Sequence, residues 1–248
     1  MPQSLENKTA IVTGASRGIG RDIALTLGKL GASVAVNYRA GAQQAKGVCD
    51  EIERLGSRAM PVQADMRQTG DIEKLFDAAV STFGGVDILV NNAGISLYKP
   101  VGEMKEDEFD NLFAVNVKGV FFACQQAAKK MADNGSIINI SSSVTRLMMP
   151  TYGAYAATKG AVEQITKVLA KELGPKGIRV NAISPGPVDT ALFRKGKSRE
   201  QIQALAGMAA FGRIGTPRDI ADAVALLVSE KAGWITGQNL CANGGFVS

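Results

Sequence analysis

Seven short runs of apolar residues recur along the chain, and the apolar residues within each run are consecutive rather than alternating. Uniform apolarity of this kind is typical of strands that are covered on both faces, as in a parallel sheet. The runs predict strands at residues 9–12, 33–36, 59–62, 87–90, 136–140, 178–183 and 239–242.

Between the predicted strands, apolar residues follow the spacing of helices, for example at residues 22–30, 43–55, 72–83 and 154–173. Consecutive parallel strands joined through helices are connected by right-handed crossovers, which place helices on both sides of the sheet. The pattern therefore predicts an α/β fold with a doubly wound, mostly parallel sheet of seven strands.

No linker, repeat or change of composition divides the 248 residues, so we expect one domain over residues 1–248. The stretch 191–213 differs from the rest because it is rich in Lys, Arg, Gln and small residues and follows a Pro-Gly turn. We interpret residues 190–213 as a mobile helical flap over a site. The alternative is an exposed excursion of the surface.

The composition, 46% hydrophobic and 21% charged, is that of a soluble globular protein. No apolar run reaches the length of about 18 residues that spans a membrane, and residues 1–8 do not resemble a signal peptide. Cys49, Cys124 and Cys241 are odd in number and far apart. They fit free thiols in a reducing cytoplasm, and their spacing predicts no metal site.

The net charge of +5 is spread along the chain, which favours a solvated surface over nucleic-acid binding. The sequence contains no histidine. This absence excludes a Ser-His-Asp hydrolase and any histidine-ligated zinc site. Proton transfer in this protein must use Tyr, Lys, Asp, Glu, Cys or water.

A glycine-rich octapeptide, Thr13 to Gly20, directly follows the first predicted strand and opens a helical pattern. Glycine allows close approach of the backbone to a pyrophosphate, and the start of a helix offers free N–H groups. A tight strand-to-helix turn is the plainer interpretation. The predicted cofactor contacts in this loop are Gly14, Ser16, Arg17, Gly18, Ile19 and Gly20.

The residue at the end of the second strand indicates whether the site prefers NAD or NADP. An NAD site needs a carboxylate there to accept from the ribose 2′-hydroxyl. This chain has Asn37, Tyr38 and Arg39 instead, and all three are predicted cofactor contacts at this end of the strand. Arg39 and Arg17 are both candidates to pair a 2′-phosphate. We therefore predict NADP(H), although an arginine at a strand end is often only surface charge.

Two further loops follow predicted strands, at the sheet edge where ligands bind in such folds. Asp65 and Met66 are candidates to contact the adenine, and Asn92, Ala93 and Gly94 are candidates for close contact with the cofactor. Simple turns are the alternative interpretation of both loops.

Tyr155 and Lys159 lie four residues apart on a predicted helix, so their side chains share a face. A phenol with a pKa near 10 is a poor acid-base catalyst at neutral pH. An ammonium about 4 Å away, at an effective dielectric near 20, would favour the phenolate by roughly 4 kcal/mol. We therefore expect Lys159 to lower the pKa of Tyr155.

Ser142 follows the fifth predicted strand, thirteen residues before Tyr155. A hydroxyl at this place suits donation to a substrate oxygen on which negative charge develops. Ser141 and Ser143 flank it, so its selection rests on spacing, and a loop serine is the plainer interpretation.

The chain resembles the short-chain dehydrogenase/reductase family over essentially its full length, and within it the ketoreductases of the 3-oxoacyl acyl-carrier-protein reductase type. The resemblance rests on Thr13-Gly14-x-x-x-Gly18-x-Gly20, Asn91-Asn92-Ala93-Gly94, Asn116, Ser142, Tyr155-x-x-x-Lys159 and Ser184-Pro185-Gly186. It implies a single-domain Rossmann fold and a homotetramer.

The same resemblance implies a catalytic set of Asn116, Ser142, Tyr155 and Lys159, in which Asn116 bends its helix to hold a water and Lys159 also grips the nicotinamide ribose. Beside the nicotinamide it places Pro185, Gly186, Val188 and Thr190. The segment 242–245 carries Asn243 where many relatives have Asp.

Tyr152 has a rival interpretation, because it stands seven residues before Lys159 and Tyr-x6-Lys is the pattern of divergent enoyl reductases. The ordinary glycine loop and the intact Tyr-x3-Lys pair favour a place in the substrate pocket instead. The predicted pocket residues are Ser96, Leu97, Leu147 and Tyr152.

The mostly apolar pocket favours a ketone with hydrophobic substituents over a free sugar. The resemblance implies NADPH-dependent, reversible reduction of such a ketone, for example a 3-oxoacyl thioester, to a secondary alcohol. The substrate is expected to be a small carbonyl or alcohol, free or bound to an acyl carrier protein. A sugar, polyol or hydroxysteroid dehydrogenase is the alternative, and a non-catalytic NADP-binding regulator on the same fold is a further one.

Overall fold

The computed structural model describes residues 4–247, and its strands form one parallel sheet in the order β3-β2-β1-β4-β5-β6-β7. The strands are β1 (Thr9–Val12), β2 (Ser33–Tyr38), β3 (Ala59–Gln63), β4 (Ile88–Asn91), β5 (Ser136–Ile140), β6 (Arg179–Pro185) and β7 (Asn239–Ala242). The sequence prediction of a doubly wound sheet is confirmed, and every predicted strand is present with its ends moved by at most two residues.

Ten α-helices accompany the sheet within residues 4–247. They are α1 (Gly18–Lys29), α2 (Ala42–Arg54), α3 (Thr69–Phe83), α4 (Glu106–Phe113), α5 (Gly119–Lys130), α6 (Val144–Leu147), α7 (Gly153–Leu173), α8 (Ala191–Arg194), α9 (Arg199–Met208) and α10 (Pro217–Val228). A π-helical turn, Ala114–Lys118, joins α4 to α5. The predicted flap contains α8 and α9.

Side-chain alternation along the strands divides the core into two layers, because successive residues of a strand point to opposite faces. On β1, Val12 belongs to the layer beneath α1, α2 and α10, whereas Ile11 belongs to the layer beneath α3, α5 and α7. Both residues are fully buried. The consecutive apolar runs of the sequence thus reflect a sheet covered on both faces.

Local signals set several helix ends. Ser198 and Gln201 form a reciprocal cap at the start of α9, in which each side chain accepts from the other residue's backbone N–H. Thr216 caps α10 in the same way and is followed by Pro217 at the first helical position. No helix in the described part of the chain is both long and apolar enough to cross a membrane.

The chain crosses from one half of the sheet to the other between β3 and β4, so the central pair of the sheet is β1 beside β4. At such a switch point the loops that follow the two strands diverge and leave a crevice at their carboxyl ends. The loops after β1, β4, β5 and β6 all reach this edge, and they carry the residues singled out in the sequence.

Candidate active site

The glycine-rich loop after β1 is tied to the loop after β4. Thr13 Oγ1 accepts from the backbone N–H groups of Asn92 and Ala93, each at 2.9 Å. Asn92 Nδ2 donates in return to the carbonyl of Thr13 at 2.9 Å. A Cβ added at Gly20 would lie 2.4 Å from Asn92 Nδ2, so only glycine fits there. Gly14, with φ +62°, adopts the left-handed backbone that the turn needs.

Asn37 has a different place from the one the sequence suggested. Its side chain is 1% exposed, accepts from the Gly14 N–H at 3.1 Å and donates to the carbonyl of Ala64 at 3.1 Å. The expectation that Asn37 faces the cofactor ribose is therefore wrong. Its amide supports the glycine-rich loop from behind, because both of its polar ends are used by backbone groups.

The first turn of α1 has the properties of an anion site. Arg17 caps the helix without a side-chain hydrogen bond to it, and the turn contains no acidic residue. Arg17 and Arg39 are exposed, and within residues 4–247 neither side chain makes an ion pair. Free N–H groups and two available guanidinium groups fit a dinucleotide with an additional phosphate.

The loop after β3 places a carboxylate near this anion site. Asp65 lies close enough to Arg39 to be influenced by its charge, but its main partner is Arg67, whose Nε lies 3.0 Å from Asp65 Oδ1. The Arg67 hydrogen bonds hold the pKa of Asp65 below its ordinary value. Met66 is buried, and its carbonyl lies 2.7 Å from where a Cβ of Gly119 would be. Adenine contacts of Asp65 and Met66 stay predictions.

Asn116 lies in the π-helical turn between α4 and α5. Its amide accepts from the N–H of Ile95 and donates to the carbonyl of Ile95, both at 2.9 Å. It also donates to Thr158 Oγ1 on α7 at 3.2 Å. Asn116 thereby fixes the loop after β4 against α7, and its role in holding a water stays a prediction.

Lys159 is 5% exposed, and its Nζ donates to the carbonyl of Ile140 at the end of β5 at 2.8 Å. A Cβ added at Gly94 would lie 3.7 Å from the same Nζ, so glycine leaves space beside the ammonium. Burial lowers the pKa of Lys159 to about 8. The side chain is thus held at the bottom of the crevice as an ammonium at neutral pH.

Tyr155 lies above Lys159, with the ring centroid 5.8 Å from Nζ. Burial raises the pKa of Tyr155 above its ordinary value, the nearby Tyr98 raises it further, and a hydrogen bond with Ser142 acts in the opposite direction. The prediction that Lys159 lowers the pKa of Tyr155 below its ordinary value is therefore wrong for this structure. The reason is that desolvation of the buried phenol outweighs an ammonium that is not in direct contact with it.

The three consecutive serines after β5 have separate partners. Ser142 lies beside Tyr155, and its Oγ accepts from the Val144 N–H at 3.3 Å, whereas Ser141 Oγ donates to Glu163 at 2.9 Å and Ser143 Oγ donates to the carbonyl of Ser184 at 3.3 Å. Spacing alone left the choice of serine open. The structure directs Ser142 toward the phenol and uses its two neighbours to anchor the loop.

The loop after β6 closes the opposite wall. A Cβ at Gly186 would lie 3.0 Å from Asn243 Cβ, so the loop passes close to the C-terminal segment. Thr190 caps α8 by accepting from the Phe193 N–H at 3.1 Å, and its methyl group faces Gly18. Pro185 ends β6 and Val188 is 4% exposed. The position of these four residues beside a nicotinamide stays a prediction.

The predicted pocket residues lie around an aromatic cluster that the sequence did not single out. Tyr98 stacks on Tyr152, with ring centroids 4.2 Å apart, and meets Tyr155 edge-on at 5.8 Å. Ser96 shares a hydrogen bond with Tyr98. Leu97, on the loop after β4, directly precedes Tyr98 in sequence, and Leu147 ends α6 shortly before Tyr152. Both leucines are half-buried. Tyr98 carries no spacing signal, because its ring contacts come from residues more than fifty positions away.

A dinucleotide-type crevice beside a buried lysine and a partly buried tyrosine and serine defines an oxidoreductase site, and comparisons with known proteins agree. The family described as Enoyl-(Acyl carrier protein) reductase matches residues 14–247. An uncharacterized oxidoreductase of Methylorubrum extorquens is 46% identical over 97% of this chain and 98% of its own length. The hydroxynaphthalene reductase-like protein Arp2 of Metarhizium brunneum is 38% identical over 100% of this chain and 97% of its own.

Among solved structures, the angucycline C-6 ketoreductase LanV with bound NADP has a TM-score of 0.93 and 43% identity. It covers 98% of this chain, and the match covers 97% of the LanV chain. The chain therefore belongs to the short-chain dehydrogenase/reductase family, as its motifs predicted.

Proposed function

We propose that this protein reduces a ketone to a secondary alcohol with NADPH, in a reversible reaction. The observation that carries the proposal is the Tyr155 phenol beside Ser142, with its ring centroid 5.8 Å from Nζ of Lys159, which is buried and held at the carboxyl end of β5. Bound NADPH would supply a hydride to the carbonyl carbon.

The residues of the chain handle the proton and the charge on oxygen. Tyr155 keeps its proton at neutral pH because burial raises its pKa, and a phenol that keeps its proton can donate it to the carbonyl oxygen. Ser142 donates to the same oxygen as negative charge develops there. Lys159 remains an ammonium at neutral pH, since its pKa is about 8, and it favours the phenolate left behind.

The cofactor is NADP(H). Arg17 and Arg39 offer two guanidinium groups where a 2′-phosphate is expected, and no carboxylate stands at the end of β2. LanV, which is 43% identical, has been solved with bound NADP. The glycine-rich loop leads into α1, whose first backbone N–H groups, with no acidic residue in the first turn, suit a pyrophosphate.

The pocket supports an aromatic ketone more strongly than a 3-oxoacyl thioester, whether free or bound to an acyl carrier protein. Tyr98 and Tyr152 present stacked rings beside the phenol of Tyr155, and flat aromatic substrates pack well on such rings. The names of LanV and Arp2 describe a ketoreductase and a hydroxynaphthalene reductase-like protein. Enoyl reduction is less favoured, because Tyr152 is engaged with Tyr98 while Tyr155 faces Ser142.

Oxidation of NADPH measured against panels of bicyclic aromatic ketones, 3-oxoacyl thioesters and sugars tests the proposal. The largest kcat/KM is expected for an aromatic ketone, with 3-oxoacyl thioesters next and sugars inert. Parallel assays with NADH are expected to give a lower kcat/KM. Turnover of sugars alone, or equal use of NADH and NADPH, would contradict it.

We also propose a homotetramer, which the resemblance implies and two apolar surfaces support. Val101, Phe109 and Ala157 line a groove between α4 and α7, and Trp234 is fully exposed ahead of β7. Exposed apolar side chains that lie together in this way are typical of subunit contacts. Light scattering should give four times the 26.0 kDa of one chain, and a fully active monomer would refute the assembly.

The location we propose is the cytoplasm. Cys49 and Cys124 are buried free thiols and Cys241 is a partly exposed one, which suits a reducing compartment. A fluorescent fusion that accumulates in an oxidising compartment would contradict this proposal.

A further inference from the structure

A single lysine of the flap reaches the aromatic cluster. Lys197 lies between α8 and α9, is half-buried, and donates from Nζ to the carbonyl of Phe193 at 3.0 Å. Its Nζ lies 4.9 Å from the centroid of the Phe193 ring and 5.4 Å from that of Tyr98. The ammonium therefore sits among rings at the mouth of the pocket.

No carboxylate within residues 4–247 lies within ion-pair distance of Lys197, whereas its flap neighbour Arg194 is paired with Asp189. One N–H of the ammonium is used by Phe193, so two donors are free for a ligand. Burial lowers the pKa of Lys197, as expected for a cation without a counter-ion. An anion placed at this position would gain a charge-assisted hydrogen bond.

Tyr98 connects Lys197 to the reacting centre. Nζ of Lys197 lies 5.4 Å from the centroid of the Tyr98 ring, and the centroid of the Tyr155 ring lies 5.8 Å from the same centroid. A flat substrate whose carbonyl oxygen meets Tyr155 and which passes beside Tyr98 would extend toward Lys197. The ammonium is thus separated from the reacting phenol by one aromatic ring.

We propose that Lys197 binds an ionised oxygen, carboxylate or acidic phenolate, at the end of the substrate remote from the reacting carbonyl. The physiological substrate is then an aromatic ketone that carries an anionic group, an assignment that rests on the proposed function. A purely structural role for Lys197 accounts for its bond to the Phe193 carbonyl and its contacts with the two rings, but it leaves the two remaining N–H donors without a partner.

Binding of a matched pair of probes to the NADP⁺-saturated enzyme tests this assignment without turnover. The probes are 6-acetyl-2-naphthoate and its methyl ester, with dissociation constants measured by calorimetry. We expect the carboxylate to bind at least about tenfold more tightly, since a hydrogen bond between charged groups is worth about 1.5–3 kcal/mol and 1.4 kcal/mol is tenfold. Lys197→Met should bring the carboxylate's Kd to that of the ester, and Lys197→Arg should keep most of the preference.

Lys195→Met is the matched control, because Lys195 is an exposed lysine of the same flap and should leave the tenfold ratio intact. A ratio near one in the wild-type protein, no binding of either probe, or a ratio that survives Lys197→Met overturns the assignment. NADPH oxidation separates this failure from failure of the proposed function. Reduction of the ester together with a ratio of one refutes only the role of Lys197, whereas a tenfold ratio without reduction of either probe refutes only the reductase activity.

Discussion

The cofactor side and the substrate side of the crevice are built differently. Around the cofactor, buried amide and hydroxyl groups of Thr13, Asn37 and Asn92 bind backbone atoms of neighbouring loops. Around the substrate, contacts are mostly between rings, and Tyr98 remains 41% exposed. Met148, just after α6, is 82% exposed.

This contrast has an energetic meaning. A buried polar group that loses its partner costs about 1–3 kcal/mol, so the cofactor side tolerates little change. Exposed apolar residues can be exchanged with small effects on stability. The same scaffold can therefore keep one cofactor while its substrate changes, and the following predictions test the two sides separately.

The largest effect is expected at the chemical centre, where the two sides meet. Tyr155→Phe removes the proton donor while keeping the ring contact with Tyr98, and general acid catalysis typically contributes at least about 10²-fold. We expect a loss of at least about that size in kcat, with the Kd of NADPH unchanged. Tyr152→Phe is the matched control and should retain most turnover with an altered KM. The reverse result in steady-state assays would assign the proton donor to Tyr152.

On the cofactor side, Asn37→Asp should lower stability instead of changing the cofactor. A carboxylate oxygen would replace the Nδ2 that donates to the Ala64 carbonyl at 3.1 Å, and it would be buried facing an acceptor. The expected loss is about 1–3 kcal/mol in the free energy of unfolding, measured in urea. Asn111→Asp is the control, because Asn111 is exposed and its amide oxygen accepts from Arg67. This variant should change the free energy of unfolding little. A stable variant with improved use of NADH would restore the original placement of Asn37 beside the ribose.

Arg39→Ala tests the cofactor side a second time, because it removes a proposed contact with the 2′-phosphate. Within residues 4–247 the Arg39 side chain makes no ion pair that the substitution would break. We expect the KM of NADPH to rise about tenfold and the KM of NADH to stay constant, since one charge-assisted hydrogen bond is worth about 1.5–3 kcal/mol. Arg54→Ala, an exposed arginine at the end of α2, serves as the control. Equal changes for both cofactors would show that Arg39 does not read the 2′-phosphate.

The smallest effect concerns a residue that acts through Ser142. Glu163 Oε1 accepts from Ser141 Oγ at 2.9 Å and from Thr145 Oγ1 at 2.8 Å, which fixes the loop on both sides of Ser142. Glu163→Ala should lower kcat about threefold to tenfold without changing the KM of NADPH, because small displacements of a catalytic group are costly. Glu163→Gln keeps an acceptor oxygen and should restore most of kcat. A loss in the glutamine variant equal to that in alanine would argue for a role of the negative charge instead.

Much of the cofactor side could be predicted because its signals are local. The glycines from Gly14 to Gly20, the pair Tyr155 and Lys159, and the apolar strands are all readable as short patterns, and the predicted fold, family and NADP cofactor are confirmed. Ser142 was selected by spacing, which does not distinguish it chemically from Ser141 and Ser143. The orientation of Asn37 could not be predicted, because a residue type at a strand end does not reveal which backbone groups surround it.

The sequence by itself determined the order of strands and helices, the dinucleotide loop and the tyrosine-lysine pair, since each depends on residues close together in the chain. Only the tertiary structure decided the raised pKa of Tyr155, the choice among the three serines, and the meeting of Tyr98 with Lys197. Burial and contact between distant segments depend on how the whole sheet and its loops assemble. For this reason the reaction class could be predicted from the sequence, whereas the surroundings that select a substrate could not.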